Sequence, residues 1–307
     1  MGRRSWKPEL RKRTSERLWA YVFIAPALFI LAAFHLVPAL TSVYFAFTEW
    51  NGLTAPKFIG LDNYRELAED KEFIQSIRNT LYFASLAIPI SITLAAMLAI
   101  ALNRKIQGLA VYRTMYFIPV VTMTTAIGMI WKWLLHSEYG PVNQVLGWLG
   151  LPEPGWLSDP SYAMLSIIIV SVWSTIGYYA IILLAGLQGI SPTYYEAADM
   201  DGASKSYQLF RITLPLLTPS LFFVVMIALI HALQMFELVF VMTGGSASEL
   251  NPVLLGSTRT VVFQVYEEGF TMFHMGYASA QAVVLFLAIL LLTLVQFKLQ
   301  NKWVHYQ

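Results

Sequence analysis

The chain has 307 residues, of which 57% are apolar, 14% aromatic and only 12% charged, with a net charge of +2 and no cysteine. A water-soluble domain carries about a quarter charged residues, so there is too little charge here to coat a soluble surface. The composition excludes disulfides, thiolate catalysis and cysteine-based metal sites, and it predicts an all-α, polytopic membrane protein.

The opening segment, MGRRSWKPELRKRTSER, holds seven Lys or Arg residues and runs directly into apolar sequence. A secretory leader also begins basic, but the apolar run from 18 to 47 far exceeds a leader core of about 7–15 residues, and no A-x-A-like site ends it. Residues 1–17 are therefore expected to form a cytoplasmic tail that leads into a retained first span. Pro26 and Pro38 should kink that span, which is too long to cross upright. Further apolar blocks predict spans over 80–102, 111–135, 163–187, 217–242 and 275–297. Residues 18–300 then form a six-helix membrane domain and 301–307 a second cytoplasmic tail. With this topology fourteen of the twenty Lys and Arg residues fall inside and five outside, while Lys132 snorkels from the outer end of span three.

Three outer loops follow. EWNGLTAPKFIGLDNYRELAEDKEF combines turn residues with a helical pattern that Asp62 is placed to cap. HSEYGPVNQVLGWLGLPEPGWLSDP reads as a re-entrant or interfacial hairpin with Trp anchors at headgroup depth. TGGSASELNPVLLGSTRTVVFQVYEEGFTMFH reads as a glycine turn followed by an amphipathic piece.

The cytoplasmic loop 188–215 carries charge between two greasy walls. Ser191 and Pro192 are helix-start signals, Gly202 is a left-handed stop, and Ser204 can cap a second helix that Pro215 ends. Two short helices meeting at a glycine elbow are expected. Glu196 and Asp199 fall in one turn, and Ala197, Ala198, Gly202 and Ala203 offer a bare surface. Another backbone can approach such a surface closely while a carboxylate takes an Arg from it. Phe210, Ile212 and Leu214 are placed to pack the elbow against the membrane helices. An ordinary helical hairpin on the membrane face is the other reading of the same residues.

EAADMDGASKSYQLFRITLPLLTP closely resembles the EAA loop of ABC importer permeases, with its E-A-A, G and I-x-L-P positions at Glu196, Ala197, Ala198, Gly202, Ile212, Leu214 and Pro215. FIGLDNY, YFIPVV, YGPVNQVLG with WLSDP, and FELVFVMTGG with MGYASA extend the likeness to carbohydrate-uptake permeases of the MalF and UgpA type. The resemblance implies a subunit of the bacterial or archaeal cell (inner) membrane whose coupling helix, Asp199 included, seats in a cleft of an ATP-binding subunit. It implies as partners a second permease, two ATP-binding subunits and an extracytoplasmic solute-binding protein. ATP and Mg would be used by those partners and no cofactor bound by this chain.

The residues agree with an external motor: there is no G-x-x-x-x-G-K-[ST], and no Gly-Lys pair occurs. An ion-coupled carrier would need an ionisable relay at membrane depth. Spans two, four and six carry no carboxylate in their cores, and span five offers only His231 and Glu237. With Gln234 these recur every three positions, so an unbroken helix over 217–242 would bear one polar stripe, facing either neighbouring helices or a solute path. Span four adds Trp173, Ser174, Thr175, Tyr178 and Tyr179, and span six adds Gln281. Aromatic faces beside hydroxyl, carboxamide and carboxylate groups suit a sugar, and equally suit packing; the resemblance implies that the middle spans line the cavity. The five histidines are scattered and show no metal-ligand spacing, and neither an enzyme nor a nucleic-acid partner is expected. The expectation is a sugar-importing permease subunit. The alternatives are the same architecture carrying glycerol phosphate, a polyamine or an amino acid, and an ion-coupled carrier acting alone.

Overall fold

The computed structural model describes residues 7–103, 107–244 and 252–303. Four helices are long and apolar enough to cross a membrane alone: Trp19–Phe45, Lys71–Leu102, Pro160–Gln188 and Met275–Gln300. They correspond to spans one, two, four and six. Spans three and five are not the unbroken helices that hydropathy predicts. Span three is Leu109–Val121 followed by Thr124–Leu134, bent by 99° between them. Span five is Thr218–Leu233 followed by a short helix, Glu237–Thr243. Residues 1–6, Arg104, Lys105, Gly245, Ser246 and the final tail residues 304–307 lie outside the described residues.

The helix leading into span one begins at Lys7, so part of the expected basic tail continues the span. Pro26 is carried within it, and the turn before Pro38 is a single π turn, Ala32–Leu36. A wide turn of this kind absorbs the amide that proline lacks. Side chains from Trp19 onward are almost all exposed, and only the end of the span, Val37–Phe45, packs against span six. Apolar surface that the chain leaves uncovered belongs against lipid or another subunit's helices.

Beyond span one, an antiparallel ribbon pairs Thr48–Glu49 with Lys57–Phe58. Asn63 anchors it by donating to the Ala46 and Thr48 carbonyls, each at 3.0 Å. Asp62 opens the Asp62–Glu69 helix but does not cap it; it pairs with Arg65 at 3.1 Å. The capping carboxylate is Asp70, which accepts from the Glu72 and Phe73 amides at 2.8 and 3.2 Å. Span two therefore starts at Lys71, well before the apolar block that predicts it.

Span two lies along span four, the most extensive helix pair in the fold. Its inward row is small: Ala84, Ala87, Ser91, Ala95 and Ala99 are all buried at three- and four-residue intervals. Small side chains bring helix backbones close, which matters in lipid because exclusion from water no longer drives association. Span four contributes Ile167, Ser171, Ala180, Leu183 and Leu187 to the contact face, and Asp159 caps its start by accepting from the Ser161 amide at 2.8 Å. A second close approach is at Gly177, where a Cβ would overlap the Tyr116 carbonyl of span three.

The hairpin between spans three and four contains the helix Pro141–Trp148. Asn143 pins it, donating to the Ser137 and Pro154 carbonyls and accepting from Trp156 Nε1 at 2.7 Å. Trp148 is left 84% exposed, as an interfacial anchor would be. At the start of spans two and six, the ends remote from the 188–215 loop, Arg259 is buried between Glu72 and Glu267. Asn79 donates to the Gly256 and Arg259 carbonyls at 2.8 and 2.9 Å, and Tyr277 donates to Asp70 at 2.7 Å. Burial pushes the Glu267 carboxyl above the usual range against the pull of Arg259. A buried cation is costly unless paired; both carboxylates balance Arg259, and the Glu72 pair ties its segment to the start of span two.

Ala95 is fully enclosed in the seam between spans two and four. Ala95→Leu should cost about 1–3 kcal/mol by overpacking and lower the melting temperature of the detergent-purified protein. An unchanged melting temperature would mean that the two spans are not in contact there.

Candidate functional site

The cytoplasm-facing loop of the sequence reading folds into the expected elbow. Its first helix, Pro192–Met200, has Ser191 at the N-cap and Pro192 in the first turn, although Ser191 Oγ bonds Thr193 Oγ1 at 2.9 Å rather than a backbone amide. It stops at Gly202, with φ +72°. There the Ala203 amide donates to the Ala198 carbonyl at 2.9 Å and the Gly202 amide to the Asp199 carbonyl at 3.1 Å. These are the paired bonds of a left-handed helix stop, a conformation that glycine adopts without steric cost. Ser204 caps the second helix, accepting from the Tyr207 amide at 3.3 Å. Pro215 does not end that helix. A π turn, Leu209–Thr213, accommodates the ring, and the chain bends by 63° between Leu216 and Thr218 instead.

The elbow is braced from within. Asp199 accepts from Lys205 Nζ at 2.7 and 3.0 Å and from Gln208 Nε2 at 2.5 Å. The hydrogen bond from Lys205, then that from Gln208, holds its carboxyl below the usual carboxylate range. Gln208 is buried and also donates to the Ala203 carbonyl at 3.1 Å, while Tyr195 and Thr213 share a hydrogen bond of 3.0 Å across the two arms. Glu196 and Ala197 are exposed beside Tyr194 and Met200. Glu196 makes no hydrogen bond or ion pair among the described residues. The bare surface is narrower than the sequence suggests, because Ala198 is buried and Ala203 half-buried. Ile212 and Leu214 are half-buried, but Phe210 is 65% exposed and does not pack the elbow inward.

The residues expected along a solute path separate into groups. The helix of span five ends at Leu233, and the backbone leaves helical geometry through Phe236, at φ −140° and ψ −63°. His231, Gln234 and Glu237 therefore do not form one stripe. His231 lies with Thr175, Tyr179, Ser91 and Ser171 around a pocket of about 30 Å³ between spans two, four and five. That volume admits about one or two waters. Thr175 Oγ1 donates to the Ser171 carbonyl at 2.8 Å and lies 3.4 Å from Ser91 Oγ. Gln234 is exposed, and Glu237 opens the next helix, where it accepts from the Thr125 hydroxyl of span three. Trp173 is exposed, with its ring edge-on to Trp131 at 5.4 Å, and Tyr178 is 37% exposed while its neighbour Tyr179 is buried. Gln281 is fully buried one turn past Tyr277 in the outer-end cluster and lines none of these surfaces.

Three contributors escaped the sequence reading. Gln208 and Tyr195 looked like ordinary polar positions on short helices, and Thr125 sat in an apolar block. The run TMTTAIG, with its threonines beside a proline-bearing segment, is the signal that would have marked the break in span three.

Jointed membrane helices around a narrow polar seam, with an elbow that presents the unpaired Glu196 carboxylate, define a polytopic membrane protein. The chain belongs to the binding-protein-dependent transport system inner membrane component family, whose pattern matches residues 74–306. It is thus a permease subunit of the ABC importer class, a transporter component and not an ATPase. It is 33% identical to the sulfoquinovosyl glycerol transport system permease protein SmoG of Agrobacterium fabrum, over 92% of this chain and 91% of that protein. It is 31% identical to the sn-glycerol-3-phosphate transport system permease protein UgpA of the same organism, over 94% and 97% of the two chains. The fold is that of a chain in the crystal structure of a bacterial alginate ABC transporter in complex with alginate pentasaccharide-bound periplasmic protein, with a TM-score of 0.83 and 22% identity over 95% of this chain and 96% of that one.

Because its carboxyl is held low, Asp199 keeps its tie to Lys205 at neutral pH and loses it only as pH falls through that lowered value. Asp199→Asn should speed amide hydrogen exchange severalfold over residues 200–208 at neutral pH, with membrane insertion unchanged. Equal exchange in the two proteins would show that the brace is not needed.

Proposed function

We propose that this chain forms one half of the transmembrane pathway of a sugar or oligosaccharide importer, with its amino terminus in the cytoplasm, and that residues 196–202 seat in a cleft of an ATP-binding subunit. The other half is a second permease. Two ATP-binding subunits hold ATP and Mg, and an extracytoplasmic solute-binding protein delivers the solute. The observation that carries the reading is the exposed, unpaired Glu196 beside Ala197 on an elbow that Asp199, Lys205, Gln208 and Tyr195 brace from within. A small residue lets the partner's backbone come close, and the carboxylate offers a directional acceptor for a guanidinium.

The bracing explains how motion would pass upward. With Asp199, Lys205, Gln208 and Tyr195 engaged, the elbow moves as one piece. Its displacement reaches the cluster where Ile190, Leu187 and Leu217 pack against Ala99 and Leu102, at the ends of spans two, four and five. Closure of the ATP-binding pair then favours one of two arrangements of the spans by contacting them unequally.

The solute path is narrow in this arrangement, since the pocket at Thr175 and His231 is too small for a sugar. Trp173, Tyr178, Gln234 and Glu237 are exposed on the surrounding faces and would supply ring stacking and hydroxyl partners as the seam opens. The two relatives named above transport, by their names, sulfoquinovosyl glycerol and sn-glycerol-3-phosphate. Spans four, five and six hold no Lys or Arg over 163–187, 218–243 and 275–297, which favours a neutral polyhydroxylated solute over a phosphorylated one.

Glu196→Lys should lower solute uptake by about tenfold or more, as loss of an interface anchor does, and weaken retention of the ATP-binding subunit on purification while insertion persists. Undiminished uptake would reject the coupling role. Gln234→Ala and Tyr178→Ala should reduce solute-stimulated ATP hydrolysis by the assembled complex more than basal hydrolysis; equal losses in both would assign these side chains to packing.

A further inference from the structure

A larger opening lies between spans two, three and four. Its volume is about 400 Å³, in the range of small-molecule sites. Phe117, Ala180 and Leu184 give it carbon walls, Thr114 and Tyr116 add hydroxyls, and Arg113 and Gln188 stand at its polar end. Gln188 ends span four beside the coupling loop, and Arg113 lies near the start of Leu109–Val121, so these groups mark one end. Gly177 lies deeper along span four by about 16 Å at helical rise, where span three closes on it at the Tyr116 carbonyl.

Arg113 carries the only charge within Leu109–Val121, is exposed, and has no ion pair or hydrogen bond among the described residues. Hydroxylated solutes would find little here, since the Thr114 hydroxyl already donates to the Ala110 carbonyl at 3.0 Å. An apolar helix from another subunit would fill the walls but leave the guanidinium unpaired at the membrane, which is unfavourable. A ligand with an anionic head and a hydrocarbon tail satisfies both parts. Basic pockets between membrane helices near the cytoplasmic face bind anionic lipid headgroups in this manner.

We propose that this groove holds an anionic phospholipid from the leaflet beside the coupling loop, its phosphate on Arg113 and one acyl chain running along Leu184 and Ala180 toward Gly177. The assignment rests on the membrane placement of these helices and not on the identity of the transported solute. The bound lipid bridges the first half of jointed span three to span four.

The test uses the complete importer, purified with its partner subunits and equilibrated with equal amounts of phosphatidylglycerol and phosphatidylcholine, with retained lipids counted by native mass spectrometry. Wild type and Arg113→Lys should retain phosphatidylglycerol in preference to phosphatidylcholine. Arg113→Gln should lose about fivefold of that retention, the scale of one cation near a lipid surface. Ala185→Trp, which fills the groove from an exposed position, should lose both lipids. Equal retention by wild type and Arg113→Gln would overturn the proposal, as would a photo-crosslinker at Ile181 that captures the second permease instead of lipid. ATP hydrolysis by each preparation, measured alongside, separates a failed assembly from a failed lipid site.

Discussion

Span two can lie directly against span four because its facing row is alanine and serine from Ala84 to Ala99. Everything else is arranged on that seam. In lipid there is no water to expel, so a helix pair is held by contact, and contact at short range requires that nothing bulky intervene. Phe83, Met164, Leu238 and Phe263 fill the space away from the elbow, and Leu183, Leu217 and Val224 fill it toward the elbow. The broken spans three and five are laid against this pair, which supplies partners for a backbone that has left helical geometry. Such breaks are tolerated at membrane depth only where protein or a water-filled cavity covers them.

The two ends of the seam are finished differently. At the end remote from the elbow, Arg259 sits between Glu72 and Glu267 while Asn79 and Asp70 collect carbonyls and a phenol from distant segments, so loops and helix ends form one polar knot. At the other end, the ties stay inside the elbow, and the face beyond Glu196 is left open. One end is closed upon itself and the other is prepared but unfinished. That asymmetry fits a subunit whose partner at the elbow comes from another chain.

Much of this was legible in the residues. Serine, proline and glycine at 191, 192 and 202 specify a helix start and a left-handed stop by local sterics alone, and the elbow follows them closely. Hydropathy located the membrane segments for the same reason: apolar blocks have nowhere else to go. What it could not show was where a helix breaks inside such a block. Gln234 and Glu237 looked like one stripe because periodicity assumes an unbroken helix, and nothing local at Met235 or Phe236 announces the change of geometry. Asp62 was the expected cap of its helix, but it became the first residue of that helix and paired with Arg65, while Asp70 caps the following helix and also receives Tyr277 from a segment far along the chain. The burial of Gln281 was not legible, because a carboxamide on an apolar helix reads alike whether it faces a path or a packed cluster.

The joints in spans three and five have a mechanical consequence. Thr218–Leu233 is 16 residues long, about 24 Å at helical rise, and Leu109–Val121 is shorter still, so neither rod reaches across a hydrocarbon layer about 30 Å thick. Their outer continuations, Thr124–Leu134 and Glu237–Thr243, are clasped to each other by Thr125 and Glu237 and by Gly128 lying under Val241. These two outer pieces are coupled more tightly to one another than each is to its own inner half. A tilt at the inner side can therefore be taken up as rotation about a few non-helical residues, and the clasped pair can swing like a shutter without any helix being melted.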